Sequence, residues 1–217
     1  WIPSKPRRHT GARGMLKFGG HIVGFNFVNY FARNADNMLI GRFLGASELG
    51  LYSKAYQLFM LPLSQVRGPM ISVALPALSS LRGDSSKYRT FFCRFLNVLA
   101  LMAVPLAIYS VLEAEFIVGF LLGSQWLAAV PVFRLLAIAG VIQSVANTRG
   151  VVLISCGLSR TYFRLGVVNA AAMVASFVVG LPFGIKGVAL SYALANLAFL
   201  PPSLHFFMRE TPIVPMD

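Results

Sequence analysis

The chain has 217 residues, 57% of them hydrophobic and 12% charged, with a formal net charge of +12 and a mean hydropathy of +0.70. So little charge cannot coat a soluble domain, and it gathers in short patches between long apolar runs, the pattern of a helical protein that crosses a membrane several times. A nucleic-acid-binding domain is excluded too, because removing the apolar runs leaves no soluble basic domain, and basic loops beside membrane spans account for the positive excess.

The first stretch, WIPSKPRRHTGARG, is polar and basic and begins at Trp1. It lacks the apolar core of a signal peptide. We read residues 1–14 as a cytoplasmic linker in a chain cut from a longer one. Six apolar spans follow: Met15–Phe43, Leu49–Ser79, Phe91–Leu112, Trp126–Ile154, Tyr162–Phe183 and Gly187–Met208. A helix needs about 20 residues to cross ~30 Å of hydrocarbon, so the three longest must tilt, kink or protrude. Pro62, Pro69, Pro105 and Pro131 are the expected kink points. The predicted fold class is all-α, a polytopic membrane bundle of six transmembrane helices over 15–208, with 209–217 as a cytoplasmic tail that is itself cut short.

The segments between spans alternate in charge. The amino-terminal arm carries Lys5, Arg7, Arg8, Arg13 and Lys17, and LGASE after the first span has no base. The loop after the second span holds Arg82, Lys87, Arg89 and Arg94, whereas EAEFIVGFLLGSQ after the third is acidic through Glu113 and Glu115. Arg160 and Arg164 follow the fourth span, Lys186 stands alone after the fifth, and Arg209 follows the sixth. Loops rich in Lys and Arg stay in the cytoplasm, so both ends of the chain are predicted there.

The first span, wound at about 100° per residue, puts Asn26, Asn29, Arg33, Asp36 and Asn37 on one arc. The second aligns Lys54, Gln57, Ser64, Gln65, Gly68 and Ser72, with Arg67 off the stripe. The fourth carries Gly140, Gln143 and Asn147, with Arg149 near its cytoplasmic end and Arg134 in its outer half. A charge facing lipid at a helix centre costs roughly 2.5–3.5 kcal/mol, so the stripes must face one another or water. Two readings stay open for individual groups. Arg33 and Asp36 can simply pair across one turn, and Arg42, Arg67 and Arg149 can snorkel to headgroups. Taken together, three polar stripes favour a hydrated cavity. Its charges are Asp36 against Arg33, Lys54, Arg67, Arg134 and Arg149, a balance that suits an anion, and phosphate in particular. The candidate cavity residues are Asn29, Arg33, Asp36, Lys54, Gln57, Gln143, Asn147 and Arg149.

The last two spans repeat small residues every four positions: Gly166 with Ala170, Ala171 with Ala175, Ser176 with Gly180, and Gly187, Ser191 and Ala195. This spacing lets helix backbones approach closely. GASELGLYSKA and GIKGVALSYA form a weak internal echo, each a glycine-bounded turn that opens a helix. Cys93 and Cys156 form no CxxC motif and have no neighbouring His, so they predict neither a disulfide framework nor a metal site. His9, His21 and His205 lie near the chain ends, and no catalytic triad, carboxylate pair or phosphate-cradling glycine loop is present, so no enzyme and no cofactor is expected.

NADNMLIGRFLGASELGLYSKAYQLFMLP resembles the start of the second half of the bacterial polysaccharide flippases, the O-antigen and exopolysaccharide branch of the multidrug, oligosaccharidyl-lipid and polysaccharide exporter superfamily. VALPALSSLRGD, LLGSQWLAAVPVFRLLAIAG and VLISCGLSR extend the likeness more loosely over nearly the whole chain. The resemblance implies two six-helix lobes around a central cavity, of which this chain supplies the second, and alternating access to an oligosaccharide on undecaprenyl diphosphate. WIPSKPRR is similar to the link between lobes. The partners so implied are a polyprenyl-diphosphate-linked glycan, the bilayer, the amino-terminal lobe and polysaccharide polymerase components. A cation-coupled drug extruder is the alternative, but it favours acidic cavity residues, and only Asp36 qualifies. A non-transporting lobe, acting as a scaffold or surviving as a gene remnant, is another.

Overall fold

The computed structural model describes residues 12–210; the side chains of 12–18, 33, 145 and 200–210 lie outside the description. Of the expected linker 1–14, residues 1–11 with His9 fall outside the description and 12–14 belong to the first helix; 211–217 of the tail and the side chains of Arg33, His205 and Arg209 fall outside it too. Among those residues there are seven α-helices and no strand: α1 (Ala12–Phe43), α2 (Ala46–Ser80), α3 (Ser85–Leu112), α4 (Ala114–Leu121), α5 (Val130–Ser155), α6 (Ser159–Gly180) and α7 (Gly184–Glu210). Six are long and match the six spans to within a few residues. The chain is an all-α membrane helix bundle.

Among the described residues, four stretches are long and apolar enough to cross a membrane: Ala46–Ser80, Ser85–Leu112, Ser124–Ser155 and Ser159–Phe199. The last of these holds two helices, α6 and α7, folded back on each other. α1 has the length of a span but misses on hydropathy, for the reason that makes it interesting: Asn26, Asn29, Arg33, Asp36 and Asn37 interrupt its apolar run.

Two expectations are corrected. EAEFIVGFLLGSQ, expected as a loop, contains the eight-residue helix α4 followed by a 3-10 turn over Ser124–Ala129. Its glutamates mark a segment outside the span, but the apolar run that follows them is free to coil. Pro131, expected as a kink, lies in the first turn of α5, where its missing N–H has no intrahelical partner to lose. Pro62, Pro69, Pro76 and Pro105 do lie inside helices.

α5 is central and packs on α2, α3 and α7, while α1 runs chiefly along α6 and α6 along α7. One core forms around Ile40, Tyr52, Phe59, Phe133, Leu136 and Val188, and a second around Leu78, Tyr88, Phe92 and Val152. Large apolar side chains also face outward, with Leu101 74% and Phe120 76% exposed. A surface of that kind belongs against lipid.

The two ends of the bundle are built differently. At one end the motifs VALPALSSLRGD and VLISCGLSR meet. Arg82 donates through Nε (2.8 Å) and Nη2 to the Ser155 carbonyl at the close of α5, and the Tyr88 hydroxyl lies 2.6 Å from Ser155 Oγ. α5 stops in a Schellman turn, with Leu158 N–H on Leu153 O and Gly157 N–H on Ile154 O. The turn needs Gly157 at φ 76°, a conformation costly for any residue with a Cβ. Asp84 caps α3 by accepting from the Lys87 N–H at 3.0 Å, and that bond, with the nearby ammonium, holds its carboxyl below the usual range. At the other end, Trp126 lies over Gly50 and the α1–α2 turn passes through Gly45.

This arrangement sharpens a topological test. Cysteines at Ser47 and Gln125, both exposed at the second end, are expected to react with an impermeant thiol reagent added outside cells, while cysteines at Ser85 and Arg160 are not. Arg160 is the better position than its neighbour Ser159, which is buried and would be protected on either side. Labelling of the opposite pair reverses the orientation.

Candidate functional site

A cavity of about 440 Å³ lies between α1, α2, α5, α6 and α7. It exists because α1 leans on α6 rather than on α2, to which a short turn joins it. Glycines set that lean: the Phe25 ring sits where a Cβ of Gly166 would stand, and Phe163 approaches the Cβ position of Gly24 to 3.0 Å. The Phe25 and Tyr162 rings meet at a tilt of 43° with centroids 3.9 Å apart, and His21 Nδ1 lies 3.3 Å from Ser159 Oγ.

The lining is amphipathic. Asn26, Asn29 and Asp36 come from α1, Tyr56 and Arg67 from α2, Gln143, Asn147 and Arg149 from α5, Tyr162 and Asn169 from α6, and Tyr192 from α7. Leu153, Leu165, Met173 and Phe177 supply apolar wall. The cavity adjoins a groove between α1 and α2, with which it shares Asn26, Asn29 and Tyr56 and which Tyr30, Asn34 and Asn37 complete.

Five of the eight residues marked on sequence grounds line this cavity: Asn29, Asp36, Gln143, Asn147 and Arg149. Lys54 and Gln57 do not; both are exposed on α2, away from its lining. The Arg33 side chain is outside the described residues. Arg134, counted above in the cavity's charge balance, is engaged elsewhere, donating to Glu115 Oε1 and to the Val111 carbonyl, both at 3.2 Å. Arg42 is exposed, with its guanidinium 6.0 Å from the Phe43 ring centroid.

Sequence reasoning counted Arg67 in the cavity's charge but left it out of the candidate residues, and it missed Asn169 and the three tyrosines. Arg67 fell off an arc drawn for an ideal helix, but α2 contains Pro62, Pro69 and Pro76, and each proline disturbs the even rotation that such an arc assumes. Asn169 is a lone amide in a run of small residues, with no stripe to flag it. Tyrosine reads as apolar in a periodicity count although its hydroxyl needs a partner. The signal available was the tyrosine hydroxyls beside the amides. Gln143 Nε2 donates to the Tyr192 hydroxyl at 2.7 Å, and the Tyr192 ring stacks on Phe177.

Asp36 is the most enclosed charge of the lining, 4% exposed. Tyr52 donates to its Oδ2 at 3.0 Å and the Asn37 N–H to its Oδ1 at 2.8 Å. One residue further along each helix, Ser53 donates to Asn37 Oδ1 at 3.1 Å, so α1 and α2 are joined polar group to polar group here. Arg149 donates through Nε to the Ala146 carbonyl at 2.6 Å, which leaves its terminal nitrogens available. Two guanidiniums against one carboxylate make the described lining net positive, and among the described residues no group of three or more His, Cys, Asp or Glu could hold a metal ion.

A polar, net-positive chamber inside an apolar helix bundle is the setting in which family comparison becomes informative. A family model described as "Polysaccharide biosynthesis protein" matches residues 1–131. The chain belongs to this polysaccharide flippase family. It is 33% identical over 72% of its length to the teichuronic acid biosynthesis protein TuaB of Bacillus subtilis. It is 25% identical over 92% to the lipopolysaccharide biosynthesis protein WzxC of Escherichia coli, and 24% identical over 76% to the succinoglycan biosynthesis transport protein ExoT of Rhizobium meliloti. The aligned region covers 32%, 40% and 34% of those proteins, so the chain spans about a third to two fifths of the flippase-family relatives it matches. No solved structure matches it significantly.

Proposed function

We propose that the chain is one lobe of a membrane transporter that moves an undecaprenyl-diphosphate-linked oligosaccharide across the inner membrane for surface polysaccharide synthesis, by alternating access. The observation that carries this reading is the chamber itself: amides, tyrosine hydroxyls and two guanidiniums enclosed in an apolar bundle, opening into a groove between α1 and α2. Sugars need hydrogen-bonding surface and water, a diphosphate needs cations, and a polyprenyl tail needs lipid; the bundle offers each of these. The biosynthetic roles in the relatives' names support the same substrate class. In this reading residues 1–14 link to an amino-terminal lobe, Lys54 and Gln57 on the exposed face of α2 look towards that lobe across water, and both ends of the chain are cytoplasmic. The chain works by binding and moving its cargo and carries out no covalent chemistry.

The test is surface glycan export together with intracellular accumulation of the lipid-linked intermediate, in the full-length protein. Asn29→Leu removes an amide from the lining and makes the helix easier to insert, so membrane abundance is expected to hold while export falls and the intermediate accumulates. Asp36→Asn is the matching charge variant. Asn keeps an acceptor for Tyr52, whereas Asp36→Leu would leave that buried hydroxyl unpaired at a cost of about 1–3 kcal/mol and confuse folding with transport. Normal export by both variants at normal abundance reduces the chamber to a packing feature.

A further inference from the structure

We propose that α4 is an interfacial helix, seated at the boundary between headgroups and acyl chains of the bilayer, with Phe116 and Phe120 as its anchors in lipid. The helix has eight residues and is about 12 Å long, so it cannot cross ~30 Å of hydrocarbon. It stands where two spans end, between the close of α3 at Leu112 and the start of α5 at Val130. Steps of about 100° divide it into three faces. Ala114 and Val118 are fully buried against the bundle. Glu115 lies on a second face and is exposed. Phe116 and Phe120 lie on a third, 59% and 76% exposed, with their rings stacked at 5.6 Å.

A helix in water has no use for the third face, and a helix deep in lipid has none for the second; one protein face, one wet face and one apolar face fit a helix lying at the interface. The occupant of the apolar face follows from continuity. Leu101, Ile108 and Leu112 form an exposed apolar stripe of α3, and α4 follows after the single residue Glu113 with two further exposed apolar side chains, Phe116 and Phe120. The roll of α4 is held by Arg134, which reaches from α5 to Glu115 and to the Val111 carbonyl on α3. Val111 fixes Arg134 beside the end of α3, and turning the phenylalanines away from lipid would require breaking the bond to Glu115.

The experiment is nitroxide accessibility in the full-length protein, reconstituted in phosphatidylethanolamine–phosphatidylglycerol vesicles in a background without native cysteines. Labels are placed at Phe116→Cys, Phe120→Cys and Glu115→Cys. Collision with oxygen reports lipid, and collision with a water-soluble nickel chelate reports water. The oxygen-to-nickel ratio is expected to be several-fold higher at 116 and 120 than at 115, one residue away at a similar depth. Equal water exposure at all three positions overturns the proposal. So does shielding of 116 and 120 from both reagents, which would mean that another protein surface covers them.

Discussion

Gly180→Leu is expected to prevent assembly of the α6–α7 pair, and Gly180→Ala to lower the thermal midpoint of the detergent-solubilised full-length protein more than Gly140→Ala or Gly68→Ala. A Cβ at Gly180 would stand 2.5 Å from the Gly187 carbonyl oxygen and 2.7 Å from its carbon, and would overlap Ser191 Oγ. Gly187 faces the same problem in return, its Cβ position 2.5 Å from the Gly180 carbonyl oxygen. Backbone atoms cannot rotate aside, so the helices would have to separate, and the cost falls at the upper end of the overpacking range, about 3 kcal/mol or more. Two controls bracket the result. Gly140→Ala would meet the buried Phe59 ring, which can shift within the core for roughly 1–3 kcal/mol. Gly68→Ala meets nothing within 4 Å in mid-helix and is expected to be neutral or stabilising by up to about 1 kcal/mol. A Gly180→Ala protein that melts with Gly68→Ala would show that α6 and α7 do not touch in this way.

The double variant Arg67→Gln, Arg149→Gln is expected to lower export by at least tenfold while the protein reaches the membrane at normal levels. Both guanidiniums line the chamber, from α2 and α5. If they hold a diphosphate, each charge-assisted contact is worth roughly 1.5–3 kcal/mol, about tenfold to a hundredfold in binding. Neutral Gln is easier to insert than a cation, so low abundance is not the expected cause of the loss. Lys at both positions keeps the charge and loses the bidentate fork, and should fall between wild type and Gln. Lys54→Gln is the internal comparison: Lys54 is exposed on α2 outside the chamber lining, so its loss should matter less than that of Arg149. Export that follows Lys54 and ignores Arg67 and Arg149 would move the substrate's phosphates out of this chamber and onto the open face of α2.

By itself the sequence determined the helical class, the number of long helices and nearly all their limits, because a membrane demands long apolar runs and leaves charge only at their ends. It also marked α1 as the polar helix, since polar groups in lipid need partners and repeat at the helical period when they have them. Asn29, Asp36, Gln143 and Asn147 were legible on that ground. α4 was not, because a short apolar run behind Glu113 and Glu115 carries no decisive period. Arg67 and Arg134, both counted in the cavity's charge, part company in the fold. Alike in sequence as lone arginines in apolar runs, one lines the chamber and the other spans from α5 to Glu115. Small-residue spacing announced close helix packing, yet only the fold decided that Gly180 meets Gly187 while Gly166 receives Phe25. The chamber likewise depends on α1 lying along α6, a partner more than a hundred residues away, instead of along its neighbour α2. Local pattern reports which face of a helix is polar; which helix that face meets depends on how all the helices share one bundle, and that belongs to tertiary structure alone.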